Sequence, residues 1–159
     1  MNFRVGHGYD VHRLVPDRKL WLGGVLIPHD KGLQGHSDAD VLIHAICDAL
    51  LGAIAAGDIG KHFPDTDEKY RNIDSKTLLQ RVKQMVEDDG WAIANIDATL
   101  VMEKPRVAGY IEDMRMTLAD ILDTEIRNVS VKATTTEGMG FEGMEEGISA
   151  HAVSLIYKV

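Results

Sequence analysis

Residues 8–12, Gly-Tyr-Asp-Val-His, constrain this chain more than any other segment, because they place a carboxylate and an imidazole two residues apart. The surrounding residues 3–11 favour a β-strand, and side chains two positions apart on a strand point to the same face. Asp10 and His12 therefore predict a two-donor clamp for a divalent metal. With a third protein ligand, a tetrahedral zinc would keep one position open for substrate or water, as in catalytic zinc sites.

Two further imidazoles, His36 and His44, flank a predicted helix start. Ser37 is the expected N-cap, the acids at 38 and 40 fall in the first turn, and the helix is expected to run to Gly57. A helix N-terminus favours phosphate, so His36 and Ser37 are candidates for a phosphate contact. His44 alone is better explained as a half-buried helix residue than as a metal ligand. Asp48, on the same predicted helix face, either orients an imidazole or is an ordinary surface acid.

The remaining pattern predicts an α+β fold. Alternating or apolar runs predict strands at 20–22, 25–27, 96–102, 129–133 and 148–159, and apolar stripes predict helices over 75–89 and near 111–122. The order β-β-β-α-α-β-α-β-β shows no internal repeat or linker. We therefore expect one domain, residues 1–159, with a sheet covered on one face by helices.

Charge and composition exclude several classes of function. The formal net charge of −8 argues against a protein that binds nucleic acid or an anionic membrane. The single cysteine, Cys47, rules out an intramolecular disulfide and fits a small core residue better than a nucleophile. No stretch approaches the roughly 20 apolar residues of a membrane-spanning helix, and no signal peptide is apparent. A cytoplasmic location is expected.

Five separated motifs occur in an order that resembles the 2-C-methyl-D-erythritol 2,4-cyclodiphosphate synthase family. They are 6–12 (GHGYDVH), 36–40 (HSDAD), 57–60 (GDIG), 63–67 (FPDTD) and 131–137 (VKATTTE). The resemblance implies a homotrimer with active sites between adjacent subunits, one Zn²⁺ per site, and Mg²⁺ or Mn²⁺ on the substrate diphosphate. It further implies an intramolecular phosphoryl transfer that expels CMP from a cytidine diphosphate substrate.

The resemblance also implies roles for individual residues. It makes Asp10, His12 and His44 the zinc ligands, Glu137 the ligand to Mg²⁺ or Mn²⁺, and His36 and Thr135 the catalytic pair that stabilises the transition state. Arg106 stands where the family commonly has Lys, which keeps the charge but changes the hydrogen-bond geometry. The implied substrate-binding residues are Asp10, His12, His36, Ser37, Asp58, Ile59, Gly60, Phe63, Asp65, Asp67, Met102, Pro105, Arg106, Thr134, Thr135, Glu137 and Phe141.

One departure from the family concerns the central channel of the implied trimer. Many members carry Arg and Glu there and can bind an isoprenoid diphosphate, whereas this chain has Met144 and His151 at those positions. Without the guanidinium, a diphosphate in the channel would lose its bidentate partner, so such regulation is not expected. Two other functions remain open from the residues: a zinc hydrolase of phosphate esters, and a nucleotide-binding module with a structural metal.

Overall fold

A five-stranded sheet organises the chain, and the computed structural model describes residues 2–159 of it. In sheet order, the strands are β4 (Lys31–Leu33), β1 (Phe3–Pro16), β7 (Gly147–Lys158), β5 (Trp91–Val101) and β6 (Val129–Thr134). Neighbouring strands are antiparallel except β5 and β6, which are parallel. Strands β2 (Leu20–Leu22) and β3 (Val25–Ile27) form a separate hairpin that turns at two glycines with positive φ.

The helices confirm the predicted α+β fold; the long ones lie on one face of the sheet, whereas the short helix at 140–143 packs on the other face, where its Glu142 carboxylate accepts from Ser149 Oγ at 2.7 Å. The helices are α1 (Val41–Ala53), α2 (Ile59–His62), α3 (Ser75–Asp88), α4 (Ile111–Leu122) and α5 (Gly140–Gly143). Helix α1 packs against β1 and β7 and also against α3, so nearly all of its side chains are buried. Within residues 2–159, none of the helices has the length and apolarity needed to cross a bilayer.

Strand β1 approaches helix α1 unusually closely, because glycines occupy its contact positions. A Cβ atom on Gly8 would lie 1.9 Å from the carbonyl oxygen of Ala45, and one on Gly6 would lie 1.8 Å from that of Ala49. Any larger residue would push the helix away from the strand. The close approach brings His44, on α1, near the side chains that follow Gly8 on β1.

The start of α1 corrects the sequence prediction. Ser37 is not its N-cap: Ala39 has a left-handed backbone (φ 55°), and the cap is Asp40, whose side chain accepts from Ile43 N–H at 3.1 Å. Asp40 Oδ1 and Oδ2 also accept the N–H groups of the glycine turn between β2 and β3, at 2.9 and 2.7 Å. The predicted acidic first turn is therefore wrong, and His44 lies in the first helical turn.

Other element boundaries also differ from the predicted ones. Helix α1 ends at Ala53 instead of Gly57, β1 continues to Pro16, and β5 begins at Trp91. Strand β4 was not predicted, since its three residues offer almost no pattern. The predicted helices over 75–89 and near 111–122 are confirmed to within a residue.

Candidate active site

Three side chains converge where β1 meets the start of α1. Asp10 Oδ2 lies 2.9 Å from His12 Nε2 and 3.1 Å from His44 Nδ1, and the two imidazole nitrogens are 3.2 Å apart. Donors bound about 2.0 Å from a tetrahedral zinc are separated by about 3.3 Å. Asp10, His12 and His44 thus form a donor set of the right chemistry and nearly the right spacing for a divalent metal.

The triad is also electrostatically matched to a cation. Burial by itself would raise the pKa of Asp10, but hydrogen bonds and charge from the two imidazoles lower that pKa to about 2. Burial would likewise lower the pKa of His12, but the carboxylate of Asp10 and the carbonyl of Gln34 raise it above 6.5. The carboxylate is therefore ionised at neutral pH and presents negative charge to the centre of the triad.

Hydrogen bonds on the far side of each imidazole orient the metal-facing nitrogens. His12 Nδ1 lies 2.8 Å from the carbonyl of Gln34, which leaves Nε2 directed at the triad. His44 Nε2 lies 2.9 Å from Ser75 Oγ, and that hydroxyl donates to the carboxylate of Asp38. If His44 carries its proton on Nε2, the lone pair of Nδ1 is free for a metal.

A cavity of about 500 Å³ opens beside the triad. Of the predicted site residues, this cavity contains the two metal-facing imidazoles together with His36, Ser37, Ile59, Phe63 and Asp65. The cavity adds six residues that were not predicted from the sequence: Arg18, Gln34, Gly35, Tyr70, Ile73 and Leu78.

A second cavity, of about 290 Å³, lies between the end of β5 and the end of β6. Its lining includes Met102, Pro105, Arg106, Thr134 and Thr135, all of them predicted site residues. Among residues 2–159, none lines both cavities. Within one chain, the predicted substrate-binding residues are therefore divided between two cavities.

Several predicted residues lie outside both cavities. The side chain of Asp58 caps α2 by accepting from Lys61 N–H at 2.9 Å, and that of Asp67 accepts from Lys69 N–H at 3.1 Å. Gly60 lies on α2 and is exposed. Glu137 sits in a left-handed turn (φ 56°), and Phe141 on α5 is 38% exposed.

Asp48 does not orient an imidazole. Its Oδ1 accepts from the N–H of Ile59 at 2.8 Å and so ties α1 to α2. Burial, together with the charges of Asp10 and Asp58, raises the pKa of Asp48. The orienting role belongs instead to Ser75 and Asp38, a contact that joins segments 31 or more residues apart and has no local sequence signal.

Comparison with known proteins yields one consistent group. A family model described as the YgbB family matches residues 3–157. The 2-C-methyl-D-erythritol 2,4-cyclodiphosphate synthase of Shouchella clausii is 59% identical over 155 residues, covering 98% of each chain. The bifunctional IspDF of Campylobacter jejuni superposes with a TM-score of 0.95 at 38% identity, over 99% of this chain and 42% of that longer one. A CDP-bound 2C-methyl-D-erythritol-2,4-cyclodiphosphate synthase gives 0.89 at 33% identity, over 96% and 99% of the two chains.

Proposed function

Because the chain belongs to the YgbB family, we propose that it forms 2-C-methyl-D-erythritol 2,4-cyclodiphosphate in the non-mevalonate route to isoprenoid precursors. Its curated relatives, 56–60% identical over nearly their full length, carry that activity in their names. The single observation that carries the proposal within this chain is the Asp10–His12–His44 triad facing a cavity that also holds His36.

The proposed reaction is an intramolecular phosphoryl transfer. An oxygen of the substrate's 2-phosphate attacks the β-phosphorus of 4-diphosphocytidyl-2-C-methyl-D-erythritol 2-phosphate. The bond from that phosphorus to the bridging oxygen breaks, and CMP leaves with the oxygen and its electron pair. The substrate supplies its own nucleophile, so the protein must position charged groups and stabilise the transition state.

We assign Zn²⁺ to the triad, since one carboxylate oxygen and two imidazole nitrogens leave the fourth tetrahedral position open. When bound, the metal would act as a Lewis acid on a phosphoryl oxygen. The chain's own residues hold and orient it: Asp10 supplies the charge, and the far-side hydrogen bonds of His12 and His44 fix their ring orientations.

His36 is proposed to stabilise the developing negative charge from the side of the larger cavity, where its imidazole is exposed. Ser37 is proposed to contact phosphate there. The residues at 58–60 and 63–67 are assigned to the methylerythritol hydroxyls, with Ile59, Phe63 and Asp65 already lining the cavity.

The smaller cavity is proposed to receive the cytidine diphosphate. Thr135 would stabilise the transition state opposite His36, and Glu137 would hold the Mg²⁺ or Mn²⁺ on the diphosphate, since a carboxylate is a hard oxygen ligand. CDP itself is bound by a related synthase of known structure. Arg106 adds positive charge on the cavity wall.

A homotrimer would unite the two cavities across subunit boundaries, and the sheet offers a surface for it. The face of β1 and β7 opposite α1 exposes a set of large apolar side chains: Phe3, Val5, Tyr9, Val11, Val153 and Tyr157, at 42–63%. Such a patch marks an association surface. His151 lies on the same face beside His7, and the absence of channel regulation by isoprenoid diphosphates stays a prediction, as does the cytoplasmic location.

The test is incubation with the cytidylylated 2-phosphate substrate and Mg²⁺ or Mn²⁺, followed by phosphorus NMR. The cyclic diphosphate and CMP in equal amounts are expected. Linear phosphate products would instead identify a zinc hydrolase, and the absence of turnover with either metal would leave a nucleotide-binding module. Sedimentation should give three times the chain mass of 17.5 kDa. A monomer that is fully active would refute the shared site.

A further inference from the structure

The guanidinium of Arg18 bridges the two peptide carbonyls on either side of His36. Its Nη1 donates to the carbonyl of Gly35 at 3.2 Å, and its Nη2 donates to the carbonyl of Ser37 at 3.1 Å. A planar guanidinium can hold two acceptors at once in a fixed relative orientation, which an ammonium group does less well. Arg18 therefore holds the peptide plane that precedes His36 and the one that follows Ser37, so the segment between them is fixed from both ends by one residue.

The remaining carbonyls of this loop, residues 34–37, are also held from outside. The carbonyl of Gln34 accepts from the ring of His12 at 2.8 Å, and that of His36 accepts from the N–H of Asn72 at 2.8 Å. All four consecutive carbonyls thus have a partner, although the loop belongs to neither a helix nor a strand. One of these partners, His12, belongs to the triad, so the position of the loop is tied to that of the triad.

Arg18 holds the loop from a position inside the site itself. It is half-buried, follows the end of β1, and lines the larger cavity together with His36. A third cavity, of about 470 Å³, is also lined by Arg18, along with His36, Asp65 and Arg71. Arg71, by contrast, lies 3.6 Å from the carboxylate of Glu68.

We propose that Arg18 is a positioning residue for the cyclisation: it fixes loop 34–37 so that His36 meets the reacting phosphate in the transition state. This inference rests on the proposed function. A displacement of about 1 Å at a catalytic group can lower the rate about a hundredfold. Because the loss arises in the transition state, kcat and kcat/KM should fall together while KM stays nearly constant.

The experiment compares Arg18→Ala, Arg18→Lys and Arg71→Ala with the wild-type enzyme in the zinc-loaded form. For Arg18→Ala we expect kcat to fall about a hundredfold, with zinc content and thermal midpoint near those of the wild type. Amide hydrogen exchange in peptides covering residues 33–38 should become faster. Free guanidinium at non-denaturing concentration should restore part of the rate. Arg18→Lys should recover little, because one ammonium cannot reproduce the fork.

Arg71→Ala is the matched control. It removes a positive charge from the cavity of about 470 Å³ that Arg18 and Arg71 both line, but it releases no carbonyl of the loop. Its kcat should stay near that of the wild type. Equal losses in both alanine variants would overturn the proposal in favour of a general charge effect, and so would unchanged kcat or unchanged exchange in Arg18→Ala. A wild-type enzyme that forms no cyclic diphosphate would instead refute the proposed function, while the exchange comparison would still test the loop contact.

Discussion

Replacing Gly8 by Ala should move Asp10 and His12, on β1, away from His44, on α1. The added Cβ would lie 1.9 Å from the carbonyl oxygen of Ala45 and 2.7 Å from the backbone nitrogen of Ala49, both on α1. These are backbone atoms, so no side-chain rotation relieves the clash. Strand β1 and helix α1 must therefore separate.

The size of the separation follows from the contact distances. Real Cβ contacts almost never fall below 3.0 Å, so the oxygen must move away by at least about 1.1 Å. Asp10 lies on the strand and His44 on the helix, and their donors are 3.1 Å apart. The added distance would carry them to about 4.2 Å, beyond the roughly 3.3 Å edge of a tetrahedral zinc site. We expect zinc affinity to fall at least about a hundredfold, with a loss of stability of about 1–3 kcal/mol.

Competition with a chromophoric chelator measures the affinity, and chemical denaturation measures the stability. Gly52→Ala is the matched control, because its Cβ would lie 3.8 Å from the nearest atom, the carbonyl oxygen of His7. The control should bind zinc like the wild type and gain up to about 1 kcal/mol, since Gly is a poor helix former. A Gly8→Ala protein with wild-type affinity and stability would refute the close-contact explanation.

Three further changes test the surroundings of the triad. Ser75→Ala should weaken zinc binding about 10–100-fold in the same competition assay, because the Nε2 of His44 loses the nearer of its two hydroxyl partners and keeps only Ser37 Oγ at 3.3 Å. Asp40→Asn should cost about 2–4 kcal/mol in urea denaturation, since an amide cannot accept all three backbone N–H groups that the buried carboxylate holds. Zinc affinity should fall as pH drops through the pKa of His12, which its contact with Asp10 raises above the ordinary value, because the metal must then displace a proton; Asp10, with a pKa of about 2, adds nothing in that range. Affinity that is independent of pH across neutrality would contradict this assignment.

The convergence of Asp10 and His12 was predictable because its signal is short-range. Asp10 and His12 share a face through the two-residue period of a strand, and the structure brings their donors within 2.9 Å. The third ligand needed the family resemblance, since nothing local distinguishes His44 from His36. Its position depends on how closely α1 approaches β1, which the glycines of 6–12 permit.

The start of α1 and the hydrogen bonds that orient His44 could not be predicted from local sequence patterns. Ser37 fits the N-cap preference, but the left-handed backbone at Ala39 moves the start to Asp40, whose carboxylate is held by a distant glycine turn. Ser75 reaches the triad from another helix. Contacts between distant segments decide these positions, and a single sequence carries no periodic signal for them.

An isotope measurement tests the central claim, which is that the substrate's own phosphate is the nucleophile at a zinc-dependent site. Turnover in water enriched in ¹⁸O, with mass analysis of CMP and of the methylerythritol product, cyclic or linear, reports whether a solvent oxygen enters either molecule. We predict no label in either product, and no turnover by zinc-free enzyme until zinc is restored. One ¹⁸O per turnover would mean that an activated water attacks the phosphorus and would contradict the account.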